Sequence, residues 1–403
     1  MPLADIIERH ARASPDRCAL HFEGEDVSYN QLWQRIERTT DVLRVHGVKL
    51  GDRVAYIGLN DPAMLVLLFA LARLGAILLP LNYRLAPAEL RAILDHSESG
   101  LLVTDEHHAT VAAALTSAGG LKSVPLASLS ANELVVADQA VPQSVVLDQL
   151  PVLLVYTSGT TGKPKGALHT QAGLVWNCVI SAHAHDLNPS DHVLTVLPMF
   201  HVGGLCIQTL PALHAGAMVT LHRRFEAGAW LRDVQQRRPT ISLMVPATLR
   251  AVLEHADFEK TDLSSLKLLN AGSSLVPVSM IAALHARGVP VCQVYGATET
   301  GPVSIYLRRE DAMRFLGSAG EAGGKIPSRT ASVSYFADTS IGTFSQNDPL
   351  NASGKFTVAT VDVNYDGGFH IGFFDATVAE GSPNVIGFRM LEQTTAVLRW
   401  QAR

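Results

Sequence analysis

The stretch that decides the fold reads Tyr156-Thr157-Ser158-Gly159-Thr160-Thr161-Gly162-Lys163-Pro164-Lys165-Gly166. It follows an apolar run at 152–156 that is typical of a buried strand. Its three glycines let the backbone approach a ligand closely and expose backbone N–H groups. Its hydroxyls can donate hydrogen bonds to phosphate oxygens, and its two lysines can neutralise their charge. The composition of this stretch therefore predicts a loop that binds a polyphosphate.

The loop does not have the pattern of P-loop kinases and ATPases. That pattern has a second glycine five residues after the first, followed by Lys and then Ser or Thr. Counting from Gly159 gives Pro164 at the second glycine position, and Lys165 is followed by Gly166. The remaining structural alternative is a surface loop rich in Gly, Ser and Thr. The number of phosphate-binding features in one short string argues against that alternative.

The overall composition is that of a well-packed globular protein. Of the 403 residues, 47% are apolar and 17% are charged, and the net charge is −5. Basic residues form no block, so nucleic acid is not an expected partner. The four cysteines lie far apart in no zinc or redox spacing, which predicts free thiols in a reducing compartment. The N-terminal sequence lacks the pattern of a signal peptide, and no apolar run is long enough to span a bilayer. We therefore expect a cytoplasmic protein.

Alternating strand and helix signals predict an α/β fold of stacked, mostly parallel sheets with covering helices. Ser28 and Gln31 form a capping-box pattern at the start of a helix, for which Gly47 supplies a left-handed exit. Pro62 suits the first turn of a second helix, which is expected to end near Gly75. Residues 104–150 are predicted to be an irregular connector. Strands are predicted at 52–58, 76–79, 152–156, 192–197, 217–222, 241–245, 266–270 and 289–295.

The character of the sequence changes near Gly320, after which Gly and Ser become frequent. Alternation of apolar and polar residues at 331–336 and 356–361 predicts strands separated by turns. We therefore expect one N-terminal domain over 1–320, built from two α/β subdomains at roughly 1–150 and 151–320. A β-rich segment without an assigned role is expected over 321–403. The boundary is predicted between 317 and 331.

Three further clusters carry chemistry. Tyr295-Gly296-Ala297-Thr298-Glu299-Thr300-Gly301-Pro302 follows a strand, and its carboxylate beside a hydroxyl can hold a hard cation that bridges phosphates. Asn270-Ala271-Gly272-Ser273-Ser274-Leu275-Val276-Pro277 joins a strand to a helix, and Leu197-Pro198-Met199-Phe200-His201-Val202-Gly203-Gly204-Leu205 holds a candidate functional histidine. Taken alone, the first two are ordinary turns with solvated side chains, and a lone histidine is more often structural than functional.

Together the loop and these clusters resemble the motifs of the acyl-adenylate-forming (AMP-binding) superfamily. The chain looks closest to acyl-CoA synthetases and long-chain fatty acid–CoA ligases, over residues 1 to about 320. The resemblance implies that Lys165, Thr298, Glu299 and His201 are catalytic, with Glu299 holding Mg²⁺ and His201 near the substrate carboxylate. Gly203 and Gly204 would leave room for the substrate. The resemblance also implies that Tyr295 stacks on adenine. The implied nucleotide contacts are Thr157, Ser158, Gly159, Thr160, Thr161, Gly162, Lys163, Gly272, Ser273, Ser274, Tyr295 and Gly296.

The resemblance implies activation of a small-molecule carboxylic acid by ATP and Mg²⁺, followed by transfer to CoA. Members of the superfamily continue with a Thr-Gly-Asp motif and a mobile domain that carries a catalytic lysine. Residues 366–372 match the first of these only in part, with Phe373 where Asp is expected. We therefore expect a truncated, weakly active enzyme joined to an unrelated β-rich segment. The alternatives are transfer to another thiol, such as that of a carrier protein, and a non-catalytic nucleotide-binding remnant.

Overall fold

The structure is a computed structural model that describes residues 1–117, 119–130, 147–157, 165–322, 370–373 and 386–389. The chain divides into two compact units, of which the first contains every described residue up to 322. The α-helices of this unit are α1 Asp5–Ala13, α2 Tyr29–Val45, α3 Pro62–Leu74, α4 Pro87–Ser97, α5 Ala109–Thr116, α6 Gln171–Ala184, α7 Val202–Gly204, α8 Leu210–Ala215, α9 Ala227–Arg237, α10 Pro246–Leu253, α11 Val278–Ala286 and α12 Arg309–Ala312. One π-helical turn, Leu205–Thr209, continues directly from α7.

The strands of the first unit are β1 Cys18–Phe22, β2 Glu25–Ser28, β3 Arg53–Ile57, β4 Ile77–Pro80, β5 Leu101–Thr104, β6 Lys122–Pro125, β7 Pro151–Thr157, β8 Lys165–Thr170, β9 His192–Thr195, β10 Met218–Leu221, β11 Ile241–Met244, β12 Leu268–Gly272, β13 Val291–Ala297, β14 Gly301–Tyr306 and β15 Glu321–Ala322. The second unit contributes β16 His370–Phe373 and β17 Ile386–Arg389, which pair antiparallel with each other. Short 3₁₀ turns occur at Glu106–His108, Leu126–Ser130, Leu147–Gln149 and Phe258–Lys260.

The strands of the first unit form two sheets. One has the order β15-β14-β13-β12-β11-β9-β10-β1-β2, and the other has the order β6-β5-β3-β4-β7-β8. Neighbouring strands within both sheets are mostly parallel, and antiparallel pairs occur at the edges, where β7 pairs with β8 and β13 pairs with β14. This arrangement confirms the predicted α/β class of stacked, mostly parallel sheets with covering helices.

The start and end signals of α2 and α3 act as the sequence predicts. Ser28 accepts a hydrogen bond from the Gln31 backbone while the Gln31 side chain accepts one from the Ser28 backbone, which completes the capping box. Pro62 begins α3, and Gly75 ends it in the left-handed conformation at φ 66°. Almost every side chain of α3 is buried because the helix packs between α2 and the six-stranded sheet.

Sheet membership does not change at residue 150. The strands β7 and β8, which lie after this position, pair with the six-stranded sheet, whereas β1 and β2 near the N-terminus pair with the nine-stranded sheet. The two sheets therefore exchange segments along the chain. This exchange could not be inferred from local signals, because each strand carries the same apolar pattern whichever sheet it joins.

The prediction of an irregular connector over 104–150 is wrong for its described part. Residues Ala109–Thr116 form α5, and Lys122–Pro125 form β6, which pairs parallel to β5. The small Ala-rich helix buries only Ala112 and Leu115, so it has a weak amphipathic pattern that is easily missed. Residues 131–146 lie outside the described residues, as do the strands predicted at 331–336 and 356–361. Within the described parts of the chain, no helix combines the length and apolar character needed to cross a bilayer.

Candidate active site

Two antiparallel hairpins, one at the edge of each sheet, carry the first two sequence motifs. The predicted phosphate loop connects β7 to β8, and Thr157 at the end of β7 pairs in register with Lys165 at the start of β8. The Tyr-Gly-Ala-Thr-Glu cluster lies at the end of β13, and Ala297 pairs with Gly301 so that residues 298–300 form the turn to β14. Gly301 takes a positive φ of 81°, which favours glycine at this corner.

The two hairpins meet at one hydrogen bond. Thr157 Oγ1 donates to Glu299 Oε1 at 3.0 Å, although the residues are 142 positions apart. Lys165 is the ladder partner of Thr157, so the Cα atoms of the two residues lie within about 5.5 Å of each other. Lys165 and Glu299 are both exposed. The fold thus brings Thr157 and Lys165, at the two ends of the predicted phosphate loop, to the Glu299 carboxylate of the second motif.

The donor set at this locus fits Mg²⁺. Mg²⁺ is usually bound through one or two carboxylates together with phosphate oxygens and water, and not through an all-protein cage. Glu299 offers an exposed carboxylate, and in the described residues no group of three or more His, Cys, Asp or Glu side chains is arranged to hold a metal. A magnesium ion at Glu299 would therefore take most of its ligands from a polyphosphate substrate and water.

The predicted adenine-binding residues lie side by side at the carboxyl ends of two parallel strands. Gly272 on β12 pairs with Val294 on β13, and Tyr295 follows directly. A Cβ atom on Gly272 would lie 2.2 Å from the Val294 carbonyl oxygen, so glycine is required by the strand contact itself. Tyr295 keeps 60% of its surface exposed, which leaves its ring available to a planar ligand. Carboxyl ends of neighbouring parallel strands are the usual ligand-binding edge of α/β sheets.

The turn after Gly272 is unusual in its backbone. Ser273 has φ 71°, in the left-handed region that non-glycine residues rarely adopt. Ser273 and Ser274 are both exposed at this edge. Holding a serine there costs on the order of 1–3 kcal/mol, and such strained positions cluster at binding sites. This observation is independent of the sequence motif and supports a ligand-contacting role for the turn.

Gly296 and Thr298 complete the hairpin around Tyr295. A Cβ atom on Gly296 would lie 2.3 Å from the Pro302 carbonyl oxygen, so glycine permits the close approach of β13 and β14. Thr298 lies in the turn and is half-buried beside the exposed Glu299. The hydroxyl of Thr298 is thereby held one residue from the carboxylate that the motif requires.

His201 lies at the start of α7, which packs against β14. The His201 ring is exposed and contacts the Phe200 ring at a centroid distance of 4.4 Å. Desolvation on its packed side lowers the pKa of His201, and the nearby Arg84 guanidinium lowers this pKa further. His201 is therefore neutral near pH 7, in a form that can donate one hydrogen bond to a carboxylate oxygen.

Gly203 and Gly204, which were both expected to leave room for a substrate, have different surroundings. A Cβ atom on Gly203 would meet nothing within 4 Å. A Cβ atom on Gly204 would lie 2.3 Å from the Pro198 carbonyl oxygen, so Gly204 is needed for a backbone contact within the protein. Sequence reasoning treated the two glycines alike because both lie in one motif.

Three polar residues near these motifs were missed by the sequence analysis as functional candidates. Asn177 on α6 donates to the Cys206 carbonyl oxygen at 2.7 Å, and its Oδ1 lies 3.7 Å from the Cβ position of Gly301. Gln208 and Asn270 are buried at 2% and 0% exposure. Asn270 begins the motif at 270–277 and is a polar residue at the end of an apolar run. This pattern could have marked it as a functional candidate. Ser158, Gly159, Thr160, Thr161, Gly162 and Lys163 lie outside the described residues.

The sequence of this chain is similar to those of known enzymes. The sequence profile of the AMP-binding enzyme family matches residues 7–331. An indoleacetate–CoA ligase of Aromatoleum aromaticum is 43% identical over 332 residues, which cover 80% of this chain and 65% of that protein. The chain thus spans just under two thirds of the length of this relative. A feruloyl-CoA synthase of Amycolatopsis is 38% identical over 390 residues, which cover 93% of this chain and 75% of that protein.

A solved structure shows the same fold. The o-succinylbenzoate–CoA synthetase of Bacillus subtilis, in complex with ATP and magnesium, superimposes with a TM-score of 0.69 at 28% identity. The match covers 79% of this chain and 64% of that one. The family profile covers most of the chain, and the fold agrees with that of the solved relative. The chain belongs to the AMP-binding enzyme family.

Proposed function

We propose that this chain activates an aromatic carboxylic acid with ATP and Mg²⁺, and that the protein is an AMP-forming acid–thiol ligase that passes the acyl group to CoA. The hydrogen bond between Thr157 and Glu299 carries the proposal. It unites the start of the phosphate-loop motif with the magnesium-binding motif, and Lys165 lies directly across the ladder. A surface loop of incidental composition would have no reason to meet a carboxylate at this point.

The reaction would proceed in two transfers. A carboxylate oxygen of the acid attacks the α-phosphorus of ATP, the bond to the bridging oxygen breaks, and pyrophosphate leaves. The CoA sulfur then attacks the acyl carbon of the acyl-adenylate and loses its thiol proton to water, and AMP leaves with the electron pair of the bond between the acyl carbon and the phosphate oxygen. Mg²⁺, when bound, neutralises phosphate charge and orients the phosphates for in-line displacement.

The residues of this chain would supply positioning and charge. Lys165 stabilises charge on the phosphates, Glu299 holds the cation with its carboxylate oriented by the Thr157 hydroxyl, and Thr298 contacts the α-phosphate. Tyr295 and the turn at Gly272, Ser273 and Ser274 would hold the adenine at the edge of the nine-stranded sheet. A neutral His201 would orient the acid carboxylate, because an uncharged imidazole can donate one hydrogen bond without trapping the anion as a salt bridge.

An aromatic acid is favoured over a fatty acid as the substrate. The two relatives described above are named for indoleacetate and ferulate, which are both aromatic. The long-chain fatty acid expectation came only from the general resemblance of the motifs. An aromatic acid would also fit the buried polar side chains near α7, which a plain hydrocarbon tail would leave without hydrogen bonds.

ATP–pyrophosphate exchange tests the first transfer. The purified chain is assayed with indole-3-acetate, ferulate and hexadecanoate. We expect exchange with at least one aromatic acid, and a loss of roughly 100-fold or more in Lys165→Ala and in Glu299→Gln, since removing one preorganised contact typically costs about 2.7–4 kcal/mol of barrier. Lys122→Ala and Glu37→Gln, which change exposed residues on β6 and α2, are the matched controls and should retain exchange. Unchanged exchange in the Lys165 and Glu299 variants would remove both residues from the mechanism.

A second assay separates the possible acceptors. Acyl transfer is measured with CoA and with a carrier protein that bears a phosphopantetheine thiol, in the presence of ATP and the preferred acid. Acyl-CoA as the main product supports the proposal, whereas transfer only to the carrier would identify a different ligase. ATP binding in a calorimeter without any exchange would identify a nucleotide-binding protein that lacks activity. We expect low exchange rates, because the sequence of this chain has no Thr-Gly-Asp motif.

A further inference from the structure

Two side chains of α6 and one of the turn itself donate hydrogen bonds to backbone carbonyl groups in and just before the π-helical turn Leu205–Thr209. Asn177 donates to the Cys206 carbonyl oxygen at 2.7 Å, and Ser181 donates to the Ile207 carbonyl oxygen. Thr209 Oγ1 donates to the Gly204 carbonyl oxygen at 2.6 Å. A π-helical turn leaves carbonyl groups displaced from the usual α-helical ladder, and such turns occur frequently at functional sites. Three side-chain hydrogen bonds therefore stabilise this turn, and a regular α-helix would not require them.

The π-helical turn lies on a definite face of the nine-stranded sheet. Trp230 Nε1 donates to Ser242 Oγ at 3.1 Å, so the Ser242 side chain points toward α9. Thr195 on β9 instead contacts Thr209 of the π-helical turn, with an Oγ1–Oγ1 distance of 2.8 Å. Since Leu194 pairs with Ser242 and successive side chains alternate, Thr195 points to the face opposite α9. The π-helical turn covers that opposite face.

Asn270 points to the same face as the π-helical turn. It pairs in register with Leu243, the residue after Ser242, so its side chain points away from α9. Gln208 of the π-helical turn reaches this part of the sheet, because its Nε2 lies 3.4 Å from the Ser242 carbonyl oxygen. The two carboxamides therefore lie over neighbouring strands, in one layer between the sheet and the π-helical turn.

Both carboxamides have buried atoms without a partner. Within the described residues, Asn270 Oδ1, Asn270 Nδ2 and Gln208 Oε1 make no hydrogen bond, and their atoms are inaccessible to solvent. A buried polar atom left unpaired costs on the order of 1–3 kcal/mol. Apolar residues of similar size would avoid this cost at both positions. Unpaired donors and acceptors kept in one layer indicate that a ligand or an ordered water completes them.

This layer lies directly below the proposed nucleotide site. Asn270 is two residues before Gly272 on β12 and points to the same face, so it lies about 6.6 Å further from the carboxyl edge of the sheet. The π-helical turn follows directly from the motif that holds His201. An acid with its carboxylate near His201 and its ring in this layer would meet both carboxamides.

We propose that Asn270 and Gln208 form a polar floor that selects aromatic acids carrying a hydrogen-bonding group, such as a ring N–H or a phenolic O–H, at the end remote from the carboxylate. The inference rests on the proposed function and specifies the substrate class of the same site. Gln208 Oε1 or Asn270 Oδ1 accepts from the ring N–H or phenolic O–H of the substrate, and Asn270 Nδ2 donates to a phenolic oxygen where the substrate has one. Acids without such a group leave these atoms unpaired and are discriminated against.

Matched acids test the polar floor. ATP–pyrophosphate exchange is measured with indole-3-acetate against 1-benzothiophene-3-acetate, which replaces the ring N–H by sulfur, and with 4-coumarate against cinnamate, which lacks the hydroxyl. For at least one pair, we expect the wild-type chain to favour the hydrogen-bonding acid at least tenfold in kcat/KM. In Asn270→Leu and Gln208→Leu, this ratio should fall toward one, chiefly through loss of kcat/KM for the hydrogen-bonding acid.

Two controls separate specificity from folding. Ser265→Ala removes another buried hydroxyl without a described partner, at the amino end of the sheet, and should leave the ratio unchanged. The melting temperature of Asn270→Leu should equal or exceed that of the wild-type chain, because an unpaired buried amide is replaced by an apolar side chain of similar size. A marked fall in melting temperature would show that Asn270 has a structural partner, and would overturn the proposal.

The results of these assays test the proposed function and the polar floor separately. No exchange with any acid would overturn the proposed function, and the polar floor with it. Exchange with ratios near one in the wild-type chain, or ratios that neither variant changes, would overturn the polar floor alone. Preferred turnover of hexadecanoate over all four aromatic acids would also overturn it, since an alkyl tail offers no hydrogen bond to either carboxamide.

Discussion

Thr157 and Glu299 are joined by a 3.0 Å hydrogen bond between hairpins of two different sheets. A hydrogen bond to a charged group contributes about 1.5–3 kcal/mol. We therefore expect Thr157→Val to lower kcat/KM for ATP in pyrophosphate exchange by roughly tenfold, because Glu299 loses the contact that orients its carboxylate. In a Glu299→Gln background the same change should have a smaller effect. Thr300→Val, which alters a neighbouring hydroxyl that bonds Ser304 instead, is the control. Full additivity of the two changes would contradict this coupling.

Lys267 and Asp191 form a largely buried ion pair with an Nζ–Oδ2 distance of 2.8 Å. Asp191 also accepts hydrogen bonds from Asn188 and Thr240, so its charge is well supported. Lys267→Met should lower the free energy of unfolding by about 3–5 kcal/mol, because it leaves a buried carboxylate without its cation. Urea denaturation of the variant measures this loss. Lys260→Met, at an exposed pair with Asp257, should change the free energy by less than about 1 kcal/mol.

His185 should make stability depend on pH below 6.5. Burial, together with the nearby Lys267 charge, lowers the pKa of His185 to about 3. The Ser181 hydroxyl donates to Ile207 and so accepts from His185 Nδ1, which leaves Nε2 unprotonated and buried. Because the unfolded chain binds this proton more readily, the contribution is fully present above pH 6.5 and is lost as pH falls from 6.5 toward 3.

The size of this effect can be measured by difference. At pH 5 the wild-type chain should have lost about 2 kcal/mol of unfolding free energy to His185, relative to pH 7.5. His185→Gln should lack this loss, whereas His183→Gln on the same helix should keep it. Urea midpoints at pH 7.5, 6.5, 5.5 and 5 provide the comparison. Parallel pH profiles for the wild-type chain and His185→Gln would show that the ring is accessible to protons in the folded state.

Gly203 and Gly204 should respond differently to the same substitution. Gly204→Ala should lower the melting temperature and impair acid activation, because its Cβ would lie 2.3 Å from the Pro198 carbonyl oxygen and would displace the His201 segment. Gly203→Ala has no atom within 4 Å of the new Cβ and lies in a helical turn, so it should be neutral or slightly stabilising. Thermal melting and KM for the acid measure both effects. Equal destabilisation by the two alanines would refute this distinction.

Much of the fold follows from local sequence signals. The capping box at Ser28 and the left-handed glycine at Gly75 confirm the predicted limits of α2 and α3. The apolar strands were predicted within a few residues of their observed bounds because each is buried on both faces. Alanine-rich α5 was missed because it buries little surface. Which strand joins which sheet was also not predictable, since that choice depends on contacts between distant segments.

Some residues of the candidate site were also predicted from the sequence, and others became evident only in the structure. Glu299 and Lys165 were predicted from their motifs, which are contiguous in sequence. Their gathering at Thr157 is tertiary and appears only in the structure. Asn270 and Gln208 were not singled out as functional, because a polar residue in a strand or helix becomes informative only when its burial and lack of partners are known. Sequence motifs thus predicted the groups that we propose to act on ATP, and the structure was needed to single out the two carboxamides that we propose to contact the acid.

The π-helical turn Leu205–Thr209 also affects how this site can evolve. A π-helical turn holds one residue more than an α-helical turn, and deleting a single codon within it would restore regular α-helix. The flanking segments would keep nearly the same orientation, because the extra residue is taken up within the turn, and the displaced carbonyl groups would return to the α-helical ladder. A change in chain length at this turn would therefore reposition several side chains of the turn at once.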